Sequence, residues 1–511
     1  MTAIPETAGR PGIRSLIPAR IDRLPWSKFH TRMVVALGVA WVLDGLEITI
    51  AANVGPDLTL PNTLHMSASG VADIATWYLI GEVIGALFFG QLSDKLGRKN
   101  LFLITLAVYL IGSGLTAATP KGGQWFIFLY FTRVVAGMGI GGEYAAINSA
   151  IDEMIPARYR GRVDIAVNGT YWAGAFLGTI ITLVALNHIS PALGWRVAYL
   201  VGPVLALVII FVRRHLPESP RWQIMHGHER EAEASIAEIE GEVARTSTGE
   251  LPPVPKDKEI EVRPTDQIGY VALLRSLFKH YPSRAIYGGT LMITQSFLYN
   301  AIFFTYGLVL QFFFHVPPGR TPYYFMAFAA GNLLGPLTIG RLFDTIGRRK
   351  MIAGTYLVSG ILLIITAQLF KAGALNAVTQ TLCWSVIFFF ASAGASAGYL
   401  TVSEIFPLEV RAKAIAVFFA IAQVFGSLGS HLYGHLIGDG KDPNSLYWGY
   451  MLGAGAMILG GVVAAFLAVD AEGKSLEDIA TPLSVIAKPP QTIFRAGGGG
   501  GGAAPSPTSG S

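Results

Sequence analysis

Residues 90–99 read GQLSDKLGRK and residues 340–349 read GRLFDTIGRR. Both stretches follow the pattern Gly-x-x-x-Asp-x-x-Gly-Arg-Lys/Arg, and every matched position is offset by 250. Matched glycines, aspartate and arginine at one spacing in both halves of a chain are not expected from composition alone. The two stretches therefore predict that the chain contains a duplicated unit.

A second pair of motifs supports the duplication. Glu153-Met-Ile-Pro is followed by Arg160, and Glu404-Ile-Phe-Pro is followed by Arg411, at an offset of 251. Two independent motifs with nearly the same period indicate that one unit has been repeated in parallel. Parallel repeats are a known transporter architecture, in which the solute site lies near the bilayer midplane between the halves.

The composition indicates a membrane protein. Of the 511 residues, 52% are hydrophobic and 14% are charged, and the mean hydropathy is +0.48. Soluble domains carry about 25% charged residues, so an ordinary soluble enzyme, a disordered chain and a nucleic-acid-binding chain are excluded. Because Cys383 is the only cysteine, an intramolecular disulfide and a cysteine-ligated metal centre are excluded as well.

Twelve apolar runs are long enough to cross a bilayer, which takes about 20 residues in a helix. They are too long for barrel strands, which take about ten residues each. We therefore predict an all-α integral membrane protein with twelve transmembrane helices in two parallel six-helix repeats. The predicted spans are 33–55, 70–92, 100–118, 124–148, 163–187, 195–213, 284–312, 321–343, 351–370, 377–402, 413–437 and 446–469.

Lysine and arginine predict the orientation, because they concentrate in cytoplasmic loops. The loops after the second, fourth, eighth and tenth spans are rich in them, whereas the other short loops hold few. Both termini are therefore expected in the cytoplasm, in a multi-pass protein of the cell (inner) membrane. The expected divisions are a cytoplasmic N-terminal segment (1–32), a first six-helix half (33–213), a cytoplasmic central loop with short helices (214–283), a second half (284–469) and a cytoplasmic tail (470–511) that is disordered from about 490.

These motifs closely resemble the major facilitator superfamily over about residues 30 to 480. Within it, Pro217–Trp222 (PESPRW) and Ser403–Pro407 (SEIFP) are similar to the sugar-porter branch, and Ala471–Ile479 is similar to its carboxy-terminal signature. Arg133 with the glycines that follow it matches a motif often associated with proton symport. The resemblance implies two six-helix halves, alternating access and proton coupling.

Other positions depart from the sugar-porter pattern. Asn168 stands where a glutamine is usual, and Leu298 stands where a glycine is expected. Asp44-Gly-Leu-Glu47 and Gly141-Gly142-Glu143 look more like related organic-acid, nicotinate and synaptic-vesicle-type members. The resemblance therefore implies the superfamily but leaves a sugar and an organic acid both open as the solute.

Ionisable residues inside a membrane are costly and indicate function. At 1.5 Å per residue, Asp44 and Arg133 each lie about 14 to 16 Å from one membrane face, so we expect the two to contact each other. A carboxylate that gains and loses an arginine partner can take up and release a proton. Glu47, one turn beyond Asp44, and Glu82, near mid-depth in the second span, are the alternative proton carriers.

The motif arginines lie beside acidic residues at the inner ends of helices. Arginine holds carboxylates through a bidentate fork, so pairs on both halves predict a latch that opens and closes the inner face. The residues predicted to form this cytoplasmic gate are Gly90, Asp94, Gly97, Arg98, Glu143, Glu153, Arg160, Glu218, Arg221, Gly340, Asp344, Gly347, Arg348, Glu404, Arg411 and Glu472.

The predicted solute site is polar without being highly charged. Amide side chains donate and accept hydrogen bonds, and aromatic rings can stack on a ring-shaped solute. The predicted substrate-binding residues are Asn168, Trp172, Gln295, Tyr299, Asn300, Tyr306, Trp384, Tyr399 and Gln423.

Together these features favour a secondary transporter of a small polar organic solute, driven by protons. A sugar or polyol is favoured because Arg133, the one clear mid-depth cation, is assigned to Asp44; an organic acid is the alternative, and a non-transporting sensor on the same fold is a third reading. An enzyme, an ATP-driven pump, a cofactor and a nucleic-acid partner have no supporting motif. His431 and His435 share a helix face, but no third metal ligand is evident. The expected partners are the solute, protons and the lipid bilayer, and the chain is expected to be a monomer.

Overall fold

A computed structural model describes residues 13–213, 217–246, 251–255, 259–262, 269–406 and 408–468. Its helices and strands are β1 (Ile13–Ser15), α1 (Ile17–Asp22), α2 (Lys28–Leu58), α3 (Ala68–Leu96), α4 (Arg98–Ala117), α5 (Phe126–Met154), α6 (Ala157–His188), α7 (Pro191–Arg213), α8 (Pro220–Met225), α9 (Glu229–Thr246), β2 (Ile260–Val262), α10 (Tyr270–His280), α11 (Pro282–Phe314), α12 (Thr321–Ile339), α13 (Leu342–Thr345), α14 (Arg348–Lys371), α15 (Ala377–Glu404), α16 (Leu408–Ile437) and α17 (Pro443–Leu467). The predicted tail from 470, including Glu472, lies outside the described residues.

Twelve of these helices fill the places of the twelve predicted spans. Eleven are long and apolar enough to cross a bilayer by length and composition. The remaining one, α12, has 19 residues and contains two prolines, two tyrosines and an asparagine, which lower its mean hydropathy. Because α12 packs against α15 as α3 packs against α5, it takes the place of the eighth span.

The two halves repeat the same packing, which confirms the duplication. In the first half α2 packs on α6, α3 on α5 and α4 on α7. In the second half the equivalent helices pair as α11 with α16, α12 with α15 and α14 with α17. The halves meet through α3 with α16 and through α6 with α12, and these two contacts are also related by the repeat.

The surface of the bundle is apolar. Large side chains such as Phe131, Leu207, Leu337 and Phe466 are more than half exposed. Polar groups are buried instead, and Glu47 and Arg133 have no exposed surface. This inversion of the usual soluble pattern is what a bilayer solvent requires, since hydrocarbon favours apolar contact and polar groups must find partners inside the protein.

A small subdomain lies between the two halves in the chain order. The described part of the segment after α7 forms α8, α9, β2 and α10. The N-terminal segment also belongs to this subdomain, which was not predicted: β1 pairs antiparallel with β2, and α1 packs on α9. Arg20 donates to Glu240 at 2.6 Å. A three-residue strand has too little pattern to be recognised without its partner.

The face of the bundle where α2 begins and where this subdomain lies is called the near face below, and the opposite face is called the far face. The N-terminal ends of α2, α4, α6, α11, α14 and α16 lie at the near face. The neighbouring spans run in the opposite direction, because short connections join successive helices.

Candidate functional site

A cavity of about 150 Å³ lies between the two halves, and its lining extends from mid-depth toward the near face. Both halves contribute to the lining. Its acidic residues are Asp44, Glu82 and Glu143, its amides are Asn168, Gln295, Asn300 and Gln423, its hydroxyls include Ser296, Ser392 and Ser396, and its aromatic residues are Trp41, Tyr144, Tyr171, Trp172, Tyr299 and Phe419.

Six of the nine predicted substrate-binding residues line this cavity: Asn168, Trp172, Gln295, Tyr299, Asn300 and Gln423. Tyr306 and Trp384 do not, and that part of the prediction is wrong. Their rings pack together with centroids 4.9 Å apart, and the Tyr306 hydroxyl is hydrogen-bonded to Thr381 at 2.9 Å inside the second half. The side chain of Tyr399 lies outside the described part of the structure.

A hydrogen-bond chain crosses the cavity wall from one half to the other. The Gln423 amide nitrogen donates to the carboxylate of Glu82, which belongs to α3. The Gln423 oxygen accepts from Ser296 at 2.7 Å and from Asn300 at 3.4 Å. A carboxylate in the first half is therefore coupled to the amide cluster of the second half, so relative movement of the halves must alter this chain.

The expected contact between Asp44 and Arg133 is wrong. The Arg133 guanidinium donates to Glu47, which also accepts from Tyr109 at 2.9 Å and from Ser113 at 3.0 Å. Arg133 and Glu47 have no exposed surface. The pair is enclosed inside the first half, where α2, α4 and α5 meet.

Aromatic rings complete the enclosure of Arg133. Its guanidinium carbon lies 4.5 Å from the ring centroid of Tyr78 and 5.2 Å from that of Tyr199. A cation held between two ring faces and a carboxylate is stabilised electrostatically without water. Arg133 is thus held as a structural cation and does not line the cavity.

Asp44 faces the cavity instead. Its carboxylate accepts from the Tyr78 hydroxyl at 3.5 Å, and its side chain lines the space between the halves. Residues three apart on a helix differ by about 60° around the axis, and this rotation separates Asp44, which points to the cavity, from Glu47. Tyr78 contacts both Asp44 and Arg133, since its hydroxyl donates to Asp44 and its ring covers the Arg133 guanidinium.

Glu143 also lines the cavity, and its place at the gate stays a prediction. It lies three turns from the near end of α5, a helix longer than the predicted span. The next residue, Tyr144, stacks on Phe419 of the second half with ring centroids 4.2 Å apart. This aromatic pair lies on the near side of the acidic residues and was not predicted, because nothing in the local sequence marks two rings on distant helices as partners.

Several residues of the predicted gate lie at the near face. Gly97 and Gly347, equivalent residues of the repeated motif, both have positive φ, at 81° and 110°, a conformation that glycine tolerates without strain. The Glu218 carboxylate accepts from the backbone N–H of Lys99 at 3.2 Å. It therefore places negative charge at the N-terminus of α4, where the helix dipole favours it.

The other gate residues are described less fully. Arg221 donates to Asp22 at 3.1 Å, which ties α8 to the N-terminal segment. Glu153 is partly buried and Arg348 is buried, and Gly90 and Gly340 lie near the ends of α3 and α12. The side chains of Asp94, Arg98, Arg160, Asp344, Glu404 and Arg411 lie outside the described part of the structure, so the predicted arginine–aspartate latch stays a prediction.

Polar contacts join the halves at the far face. Gln311 of α11 donates to Thr59 at 3.0 Å, and Asn187 of α6 donates to the carbonyl of Gly319 at 3.1 Å. His431 Nδ1 of α16 lies 2.6 Å from Asp73 Oδ1 of α3. Because the cavity lining extends in the other direction, these contacts lie on the side of the bundle away from the cavity.

Comparison with known proteins identifies relatives that are transporters and not enzymes. Residues 56–483 match the family described as sugar (and other) transporter. The niacin transporter NiaP of Acinetobacter baylyi is 25% identical over 463 residues, covering 90% of this chain and 99% of NiaP. Organic cation/carnitine transporter 7 of Arabidopsis thaliana is 29% identical over 248 residues, covering 48% of this chain and 47% of that protein.

Solved structures show the same fold. The major facilitator superfamily proton:xylose symporter XylE, bound to 6-bromo-6-deoxy-D-glucose, superposes with a TM-score of 0.69 at 18% identity. The superposition covers 88% of this chain and 98% of XylE. It confirms the expected arrangement of two six-helix repeats.

Proposed function

The chain belongs to the sugar (and other) transporter family of the major facilitator superfamily, and we propose that it moves a small polar organic solute across a membrane by proton-coupled symport. The observation that carries the proposal is the central cavity, which both halves line and which contains three carboxylic side chains at mid-depth. Alternating access needs a site of this kind, shared by two units that can move relative to each other.

Asp44 is the proposed proton carrier. It lines the cavity, whereas Glu47 is enclosed with Arg133 and three hydrogen-bond donors hold its carboxylate. A carboxylate that meets water in one state and the dry protein interior in another changes its proton affinity between the states. Glu82 is the second candidate, because its hydrogen bond to Gln423 crosses between the halves.

The lining supports a neutral or positively charged solute over an organic anion. The amides of Asn168, Gln295 and Asn300 suit the hydroxyls of a sugar or polyol, since they supply both donors and acceptors. Arg133, the cation that the organic-acid alternative assigns to the carboxylate of the solute, does not face the cavity. The organic-acid alternative is supported by the similarity to a niacin transporter.

The experiment is uptake of labelled solutes into proteoliposomes with an imposed proton gradient, using hexoses, inositol, nicotinate and short carboxylates. Asp44→Asn is expected to abolish accumulation against the gradient while solute exchange continues. Glu238→Gln, on the exposed surface of α9, is the control and should behave as wild type. The proposal is wrong if no solute exchanges across the membrane, or if Asp44→Asn accumulates solute like wild type and Glu82→Gln does so too.

We also propose that the protein lies in the cell (inner) membrane with the near face and both termini in the cytoplasm. The support is the concentration of lysine and arginine in the near-face loops. Cysteines introduced at exposed Lys121 and at exposed Arg349 would test it in a background without Cys383. A membrane-impermeant thiol reagent added to intact cells should label the first and leave the second unlabelled; the reverse would contradict the orientation.

A further inference from the structure

Two short helices at the near face, α9 and α10, differ in what they expose. α9 buries four apolar side chains on one side and exposes no large apolar side chain. α10 also buries one side, through Leu273 and Leu277, but its Val271 is 74% exposed and its Phe278 is 49% exposed. Exposed apolar residues that share a surface mark a site of interaction. α10 therefore has a second apolar side that the protein does not cover.

The side chains of α10 change character in order around its axis. At about 100° per residue, Val271 and Phe278 lie about 20° apart and form one apolar stripe. The partly buried Leu274 lies between this stripe and the buried side, and the exposed Arg275 and Lys279 lie along the opposite edge of the stripe. A helix in a membrane interface has this order, with acyl chains against its apolar side and headgroups against its basic side.

The contacts of α10 place it at the level of the membrane surface. It packs on α11 and α16, which are both membrane spans. The Tyr270 hydroxyl at its start donates to the carbonyl of Leu87 in α3 at 2.8 Å. The apolar span of α3 ends at Leu92, so Leu87 lies about 7 Å inside its near end. Helices in the interface lie at a similar depth, about 5–10 Å into the boundary between headgroups and acyl chains.

The basic edge of α10 is available to a ligand. α10 contains no acidic residue, and neither Arg275 nor Lys279 forms an ion pair with a residue that the structure describes. Anionic headgroups attract lysine and arginine close to the membrane surface. A soluble anion would match the two charges and leave the apolar stripe uncovered, whereas an anionic lipid matches both features.

We propose that α10 lies in the membrane interface and binds an anionic phospholipid. Its acyl chains cover Val271 and Phe278, and its phosphate accepts hydrogen bonds from Arg275 and Lys279. Because α10 packs on the second half while Tyr270 is bonded to α3 of the first half, the lipid lies beside both halves. The inference concerns the lipid around the protein, so it does not depend on the solute or on proton coupling.

Quenching by lipids tests whether the stripe reaches the acyl chains. In a Cys383→Ser background, Phe278→Cys or Val271→Cys carries a bimane fluorophore on the full-length protein in phosphatidylcholine vesicles. Phosphatidylcholine brominated on its acyl chains should lower the fluorescence by about half at either position and by less than about a tenth at Glu238→Cys on α9, because only α10 enters the acyl region. Equal quenching on the two helices would overturn the placement, and two positions on α10 keep the test decisive if one variant misfolds.

The headgroup is tested with the same label at Phe278→Cys, by comparing quenching by brominated phosphatidylglycerol and brominated phosphatidylcholine. The anionic lipid should bind more tightly. Arg275→Gln and Lys279→Gln should each reduce this preference about fivefold, because a basic residue near an anionic surface contributes about 1 kcal/mol. Arg230→Gln, on the exposed surface of α9, is the matched control and should keep the preference.

Two results would refute the anionic lipid. One is the absence of a preference for phosphatidylglycerol, and the other is a preference that survives in the double variant Arg275→Gln/Lys279→Gln. Glycerol phosphate added to the buffer has the charge of the headgroup without the chains and should not displace the lipid. Displacement by glycerol phosphate would assign the two basic residues to a soluble phosphate and overturn the inference.

Discussion

Replacing Glu47 by glutamine should destabilise the protein far more than replacing Asp44 by asparagine, although the two carboxylates lie one helical turn apart. Glu47 and Arg133 are fully buried, and Glu47→Gln leaves the guanidinium without a counter-ion. Removing one partner of such a pair costs about 3–5 kcal/mol. Asp44 accepts one long hydrogen bond, at 3.5 Å, which an amide oxygen can also accept, so its replacement should cost less than about 1 kcal/mol.

The double variant Glu47→Gln/Arg133→Gln tests whether the pair itself causes the loss. It removes both charges, so no unpaired charge stays buried. Its loss of stability should be smaller than the sum of the two single losses by at least about 2 kcal/mol. Hydrogen bonds from Tyr109 and Ser113 remain available to the glutamine at position 47, which further limits the loss.

The assay is unfolding of purified protein in mixed micelles with increasing denaturing detergent, followed by tryptophan fluorescence, together with proton-driven uptake. Glu47→Gln should unfold at much lower detergent fraction, whereas Asp44→Asn should unfold like wild type and lose accumulation. If Asp44→Asn is the unstable variant, Arg133 depends on Asp44 and the assigned pair is incorrect. Strict additivity in the double variant would show that Glu47 and Arg133 do not interact.

Three further predictions concern the two faces of the bundle. Glu218→Gln removes negative charge from the first turn of α4 and should destabilise the near face by about 1 kcal/mol. It should also lower the turnover of solute uptake with little change in solute affinity. Unchanged turnover would count against a gating role of Glu218. His431→Ala or Asp73→Asn breaks the 2.6 Å contact at the far face. Labelling of a cysteine placed there should rise about two- to fivefold, because an exposed pair contributes up to about 1 kcal/mol. A decrease in labelling would show that this contact does not hold the two halves together. Burial raises the pKa of Glu240, but hydrogen bonds from Arg20 and Arg23 outweigh it, so the pKa is lowered below its ordinary value of 4.5. The stabilisation from this contact is therefore complete above pH 4.5 and is lost as the pH falls below it. Limited proteolysis of the N-terminal segment should increase only below about pH 4.5, and an increase near neutral pH would refute this contact.

Much of the fold was determined by local sequence. Apolar runs of membrane-spanning length predict helices because a bilayer requires every backbone group to be bonded within the helix. The repeated motif at residues 90–99 and 340–349 predicts the duplication, and the repeated helix pairings confirm it. The eighth span was predicted from the apolar run at 321–343, and α12 occupies that place although its prolines, tyrosines and asparagine lower its mean hydropathy.

The positions of the cavity amides were also predictable. Gln295 and Asn300 are polar residues in an otherwise apolar helix, and a polar residue in a span generally faces the bundle interior. Tyr306 and Trp384 also face the interior, but they do not line the cavity, because the two rings pack together inside the second half and the Tyr306 hydroxyl bonds to Thr381 there.

Only the tertiary structure decided which acidic residue meets Arg133. Depth along a helix follows from residue number, and the depths of Asp44, Glu47 and Arg133 agree to within one turn. The direction in which each side chain points depends on rotation about the helix axis, and packing against neighbours sets that rotation. A Cβ atom at Gly137 would collide with the backbone of Tyr78, so this glycine allows α5 to approach α3 closely. A contact between residues dozens of positions apart leaves no periodic trace in either helix, whereas length and hydropathy act within one helix and can be read from it alone.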